Sequence, residues 1–151
     1  MADEPEAFAL ALQALSHKER SVAELGEWLR KRGVGETDAE ETIAELVAAG
    51  TLDDARFAAR YAEDKRELAG WGSERIRAAL LERGVEHEEV EAALAGDDDA
   101  TEADRAADLL RQRGADLGNE AARRRALGLL ARRGYSSDVA YEAIRLVERE
   151  G

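Results

Sequence analysis

Few residues in this chain could carry catalytic chemistry. Histidine occurs only at positions 17 and 87, each expected beside a helix terminus among charged neighbours. His87 and Glu91 are four apart and would share a helix face, but two ligands fall short of the three or four that structural or catalytic zinc requires. There is no cysteine, so thiolate metal sites, cysteine nucleophiles and disulfides are excluded. No serine stands with a histidine in a nucleophile turn. The carboxylates fall at exposed helical positions, without apolar pockets to raise their pKa. The glycine pairs Gly33/Gly35 and Gly70/Gly72 lack the strand-then-helix setting and the lysine of a phosphate loop, and read as helix-ending turns. We expect no catalytic residue, no metal site and no cofactor, and a protein that binds a partner.

Basic and aromatic residues offer more. Arg123, Arg124, Arg125, Arg132 and Arg133 fall on one expected helix. Positions 125 and 132, seven apart, share a face, and 124 lies within about 80° of 132. This stripe is either a partner-binding face or a solvated face with i,i+4 ion pairs. A second cluster, Arg56, Arg60, Lys65 and Arg66, accompanies Phe57 and Tyr61, but Glu63, Asp64 and Glu67 interleave it and favour a self-satisfied face. Trp28 occupies a position expected in the core. Trp71 stands between two glycines, where a large aromatic either plugs a groove or is displayed as an anchor.

Helices must position these residues. Of the 151 residues, 44% are apolar but only 5% aromatic, 37% are charged, and alanine, leucine, glutamate and arginine dominate, all good helix formers. Alternating β-branched patterns are absent. Uncharged stretches are too short for a spanning helix, and the start of the chain is acidic where a signal peptide would be basic, so no membrane association and a cytoplasmic location are expected. Net charge is −12, which repels nucleic acid at long range. Residues 1–52, 53–98 and 99–151 carry −6, −6 and 0, so phosphate contacts are expected towards the C-terminus. Nineteen of the 22 bases are arginines, a skew that genome composition explains as readily as bidentate recognition.

The chain repeats itself. Leu29-Arg30-Lys31-Arg32-Gly33-Val34, Leu80-Leu81-Glu82-Arg83-Gly84-Val85 and Leu130-Ala131-Arg132-Arg133-Gly134-Tyr135 share a leucine, an arginine, a helix-ending glycine and an apolar residue in one register. The pairs Leu25/Trp28, Ile76/Ala79 and Ala126/Leu129 precede those glycines equivalently. A period near 50 residues predicts an all-α fold of three tandem three-helix repeats in an elongated, curved, solenoid-like array. The expected boundaries are a disordered leader at 1–6, then repeats at 7–50, 51–96 and 97–151. In the first repeat Phe8, Ala11, Leu12 and Leu15 form an apolar stripe. Ser21–Glu24 and Thr37–Glu40 read as capping boxes, the latter opening a helix through Ile43, Leu46 and Val47. Gly96-Asp97-Asp98-Asp99, an acidic cluster unsuited to a core, reads as a linker. Polar repeat ends and the lack of heptads predict a monomer.

Leu52-Asp53-Asp54, Arg56-Phe57-Ala58, Tyr61, Gly70-Trp71-Gly72, Arg75-Ile76, Leu80 and Gly84-Val85, with Arg124-Arg125-Ala126-Leu127, Leu130, Arg132-Arg133-Gly134-Tyr135 and Asp138-Val139, resemble the RecX regulators of the bacterial recombinase RecA. The resemblance runs from about Ala7 to Val147. It implies three-helix repeats and a partner, the RecA filament on single-stranded DNA, with that DNA reached through the filament. It further implies inhibition of filament extension, ATPase, coprotease and strand exchange, and thereby modulation of recombination, DNA repair and the SOS response. The expected contact residues are Arg56, Arg60, Tyr61, Lys65, Arg66, Trp71, Arg75, Arg123, Arg124, Arg125, Arg132 and Arg133. This chain departs from a more basic family pattern. Its acidic surface would meet basic residues in the filament groove or reflect high internal salt. The alternative is a helical module that binds DNA without recombinase, marked by salt-dependent affinity for naked DNA.

Overall fold

The computed structural model describes residues 3–150, and among them the chain forms nine α-helices and no β-strand. They are α1 (Glu4–His17), α2 (Val22–Lys31), α3 (Glu36–Ala48), α4 (Asp54–Ala69), α5 (Ser73–Glu82), α6 (His87–Leu94), α7 (Asp99–Gln112), α8 (Glu120–Arg133) and α9 (Ser137–Glu148). Short polar caps start most of them: Ser21 and Glu24 form the anticipated capping box, and Asn119 and Ser136 cap α8 and α9. The glycines Gly33, Gly84 and Gly134 take φ of +84°, +83° and +96°, the left-handed conformation that the repeated motif requires. The residue eight before each, Leu25, Ile76 and Ala126, is buried. The residue five before each, Trp28, Ala79 and Leu129, is only half-buried.

Two compact units emerge: residues up to Ala58 with Leu80–Val90, and Ala59–Ala79 with the residues from Glu91 onward. The first contains a core of Ala7, Ala11, Ala14, Leu25, Leu29, Val34, Ala39, Leu46 and Leu52. The second is built around Ala103, Ala107, Leu110, Leu130, Val139, Ala143 and Ile144, with α7 packed chiefly on α9. Alanine at the contact faces lets helices approach closely, so leucine and isoleucine supply most of the area, about 1.5–3 kcal/mol for each full burial.

Several expectations shift. Helix α1 opens at Glu4, inside the expected leader, because Asp3 accepts a hydrogen bond from Glu6 N and Pro5 fits the first turn, where its missing N–H costs nothing. Met1 and Ala2 lie outside the described residues. The inward stripe of α1 centres on Ala7, Ala11 and Ala14, with the expected Phe8 and Leu15 packed half-buried beside it, while Leu12 is 44% exposed. Helix α3 starts at Glu36 with Gly35 as its cap, so Thr37 lies within the first turn and forms no capping box; Val47 is 47% exposed. Trp28 is half-buried, with the Arg32 guanidinium 3.7 Å from its ring centroid and Arg20 at 5.5 Å.

The acidic cluster is also more than a linker. The Asp97 carboxylate is 5% exposed and pairs with Arg66 and Arg105, while Asp98 caps α7 by accepting from Thr101 N at 2.8 Å. Two guanidinium groups compensate a carboxylate that an apolar core would reject.

Each unit contains a joint of the same plan. In the first, the end of α5 meets the start of α2: Ser21 Oγ donates to Arg83 O at 2.6 Å, and Asp54 Oδ1 accepts from Val22 N at 2.9 Å. In the second, the end of α8 meets the start of α5. Gly72 N donates to Arg133 O at 2.7 Å and Glu74 N to Gly134 O at 3.0 Å. Glu102 there takes the part of Asp54, accepting from Ser73 N at 2.7 Å and Ser73 Oγ at 2.5 Å.

Candidate partner-binding face

The joint in the second unit gathers much of the basic and aromatic chemistry. Gly70 closes α4 at φ +67°, and Trp71 N donates back to Lys65 O at 3.0 Å. The Trp71 ring therefore lies against the last turns of α4, edge-on to Tyr61 at 6.4 Å between centroids. Lys65 Nζ stands 4.8 Å from the Trp71 centroid and 5.4 Å from that of Tyr61. From α5, the Arg75 guanidinium stacks 4.1 Å from the Trp71 centroid and donates through Nη1 to Arg132 O at 3.2 Å. Arg133 Nη1 donates to Ala69 O at 2.7 Å and the Tyr135 hydroxyl to Gly70 O at 3.0 Å. Trp71 is thus half-buried beneath cations, an arrangement between the plug and the displayed anchor, and the cation–π contacts hold Lys65 and Arg75 in place.

Burial pushes the Tyr135 phenol up to about 12, and the negative charge of Glu102 adds to the effect. The hydroxyl stays protonated as a donor to Gly70 O under ordinary conditions.

The exposed part of the face lies on α8. Arg124 is held only loosely, 3.9 Å from Glu120, with side chains 77% and 89% exposed. Arg125 is exposed, as is Arg132, which offers its carbonyl to Arg75. Arg123 differs, because it is engaged by Glu148 of α9.

The expected contact residues therefore divide. Tyr61, Lys65, Trp71, Arg75, Arg132 and Arg133 come together at the joint of the second unit, with Arg124 and Arg125 further back on α8. Arg60 lies on the exposed side of α4. Arg66 turns inward: its Nε sits 2.7 Å from Asp97 Oδ2, near enough for an ion pair though not aligned for a hydrogen bond, and its side chain is 12% exposed. Its charge serves the fold and is poorly placed for a partner. Arg56 belongs to the first unit and closes α3, donating to Gly50 O at 3.0 Å and Thr51 O at 3.3 Å. The interleaved acids Glu63, Asp64 and Glu67 are not what neutralises Arg66; Asp97 is.

Reasoning from sequence did not single out the groove beside Arg124. About 360 Å³ opens between α8 and α9, lined by Arg124, Leu127, Gly128, Ala131 and Tyr141. Tyr141 is 52% exposed. The signal was Gly128, midway between Arg124 and Arg132 on one helix face, where the missing side chain leaves the space. Its absent Cβ would meet only Arg132 Nη1, at 3.2 Å.

Comparison with known proteins bears on this geometry. Residues 7–46 match the family model for the first three-helix domain of RecX, and residues 53–94 match that for its second. The chain is 38% identical over 145 residues to regulatory protein RecX of Mycobacterium avium, covering 93% of this chain and 84% of that protein. The chain belongs to the RecX family. Regulatory protein RecX of Mycobacterium ulcerans is similar at 39% identity over 145 residues, with the same coverage. The crystal structure of RecX from Lactobacillus salivarius shares the fold, with a TM-score of 0.87 over 97% of both chains at 21% identity. Helices α7–α9, which carry the arginine face, lie beyond both matched RecX domains. Among the described residues no helix is long and apolar enough to cross a membrane.

Proposed function

We propose that this RecX-family chain is a regulator that binds the RecA recombinase filament on single-stranded DNA and inhibits its extension, ATPase, coprotease and strand-exchange activities. It works in the cytoplasm as a monomer, without chemistry of its own, by occupying a surface that successive recombinase subunits create. Through that inhibition it moderates recombination, DNA repair and the SOS response.

The observation that carries this reading is the asymmetry of charge. The first unit holds 17 acids and 7 bases, the second 17 and 15. The cations of the second unit are concentrated on α8 and at the Trp71 joint. A chain of net charge −12 is repelled by naked DNA once their surfaces approach to about the screening length, roughly 8 Å at physiological salt. A basic face on such a chain is useful where a phosphate backbone is presented together with protein. A nucleoprotein filament is such a target.

The test measures single-strand-dependent ATPase activity and strand exchange by RecA as this protein is added. Inhibition at substoichiometric ratios is expected; its absence at equimolar protein refutes the proposal. Salt-dependent, tight binding to naked single-stranded DNA without recombinase would favour the DNA-binding module instead.

A further inference from the structure

A second groove, in the first unit, has the opposite chemistry. It encloses about 520 Å³ against the joint of α2 with α5. Its floor is apolar, formed by Val22 and Ala23 of α2, Val47 at the end of α3 and Ala55 of α4. Its rim carries Asp53, Asp54, Glu86 and Glu89, and no lining residue is basic. Val47, one of the few large apolar side chains left exposed, stands at its edge.

We infer that this groove receives a basic segment of a partner protein, a lysine or arginine whose aliphatic stem lies on the Val22–Val47–Ala55 floor while its charged head meets Glu86, Glu89 and Asp54. Three observations converge on that occupant. Glu89 Oε2 is buried and accepts no hydrogen bond from the described residues, a costly state that a turn of this half-buried side chain toward an incoming N–H donor would relieve. Among the described residues no group of three acidic or histidine side chains is placed to hold a metal ion, so the carboxylates are not a cation cage of the ordinary kind. The apolar floor, in turn, would be wasted on a hydrated ion and suits the stem of a long basic side chain. Crowding of like charge is already felt in the resting groove. Burial, together with the charges of Glu89, Asp53 and Glu24, holds the Asp54 carboxyl above its usual range despite the hydrogen bond from Val22 N.

The inference rests on the regulator reading only for which protein supplies the segment. The groove would complement the α8 face: one unit answers phosphate, the other answers a basic stretch of protein.

Binding of a fluorescein-labelled amphipathic peptide of leucine and lysine to the full chain, followed by anisotropy, tests it directly. The wild type binds, and a leucine–glutamate peptide of the same length does not. Glu86→Lys and Val47→Asp, both at exposed positions that leave the fold intact, each weaken binding about tenfold or more. Glu41→Lys, the same charge change elsewhere on α3, leaves it unchanged. Equal loss in Glu86→Lys and Glu41→Lys would reduce the attraction to net charge and overturn the proposal. So would unaltered binding by Val47→Asp, or displacement of the peptide by spermidine at matching concentrations. A wild type that inhibits RecA yet ignores the peptide sinks the groove alone, whereas one that binds the peptide in the groove yet leaves RecA unaffected sinks the regulator reading alone.

Discussion

The two joints between a helix end and a helix start follow one plan and differ in what executes it. In the first unit side chains do the joining. Ser21 Oγ reaches Arg83 O, and the Arg83 guanidinium returns to Glu24 through bonds of 2.9 and 3.0 Å while lying 4.7 Å from the Phe57 centroid. In the second unit the backbone also joins itself directly, Gly72 N to Arg133 O and Glu74 N to Gly134 O, and the side chains of Arg75, Arg133 and Tyr135 add bonds to carbonyls around it. The repeat places Arg75 where the first joint has Glu24. One exchange of charge at an equivalent position therefore separates them: Arg83 is neutralised inside its joint, whereas Arg75 joins Lys65 on Trp71 and adds to a positive face. A repeat architecture can thus keep its geometry while reversing the electrostatics of a single joint.

Substitution of the equivalent glycines would break this comparison most sharply. A Cβ on Gly134 would stand 2.3 Å from Arg75 Cβ and 2.6 Å from Arg75 N, and one on Gly72 would stand 2.5 Å from Gly134 O. Gly33 shares the left-handed conformation but has nothing within 4 Å. We expect Gly134→Ala to cost about 3 kcal/mol or more, through strain and a forced opening of the joint, and Gly33→Ala about 1 kcal/mol, from the backbone alone. Denaturant unfolding followed by circular dichroism decides it. Equal costs would mean the glycines only stop helices and the joint tolerates a wider gap.

Charge reversal is next in size and sharpens the functional half of the contrast. The triple change Arg124→Glu, Arg125→Glu, Arg132→Glu should raise the concentration for half-inhibition of RecA ATPase by about tenfold or more. Reversal of Arg30 and Lys31 should change it by less than about twofold, because Arg30 is already committed to Glu36 at 2.7 Å and Lys31 to Glu27 at 3.0 Å. Matching effects would deny the α8 face any special part.

How far the sequence disclosed these joints depended on what each element needed. A positive-φ position is written in residue identity, so Gly33, Gly84 and Gly134 announced themselves, and with them the ends of α2, α5 and α8. In helix α1 Ala11 is inside and Phe8 and Leu15 pack against the core as read, whereas Leu12 turns out to solvent because the close approach of a neighbour centres the contact on Ala7, Ala11 and Ala14. Asp97 and Glu102 could not be assigned from local pattern at all. Their burial is licensed by Arg66, Arg105 and Ser73, partners that the fold alone brings near. The same holds for the cations: nothing in the run Arg123-Arg124-Arg125 tells which one Glu148 will take. The acidic groove of the first unit escaped notice because its carboxylates come from segments more than thirty residues apart, Asp53 and Asp54 on one side and Glu86 and Glu89 on the other.

Alkaline pH separates the joints more gently. Tyr135 serves the second joint only, and its phenol is raised from 10.0 to about 12. A phenol raised on folding contributes stability that is complete below its unfolded value and lost as pH climbs through the folded one. The chain should therefore lose stability between about pH 10 and pH 12 through this group, and Tyr135→Phe should remove that component and the highest-pH step of the tyrosinate titration. At neutral pH the same change costs about 1 kcal/mol for the lost bond to Gly70 O. An unchanged tyrosinate titration would place the raised phenol elsewhere.

The smallest effect concerns acid, and here the first joint opposes itself. Burial raises the Glu24 carboxyl, but hydrogen bonds from Arg83 and Ser21 N and the Arg83 charge outweigh it, leaving the group below its ordinary 4.5. Its contribution is present above that value and is lost as pH falls through the lower folded one. Asp54 runs the other way: raised above its ordinary 3.8, it favours the folded state below that value and loses this contribution as pH rises through its folded one. Glu24→Gln should therefore lower neutral-pH stability and flatten the acid limb of a urea-midpoint profile. Asp54→Asn, whose amide oxygen can still accept from Val22 N, should raise neutral stability slightly and steepen that limb. Each change should stay below about 1 kcal/mol, because both carboxylates are partly screened by solvent. If the two variants move the acid limb in the same direction, the carboxylates at the start of α2 act as one cluster, with no division of labour between Arg83 and Val22 N.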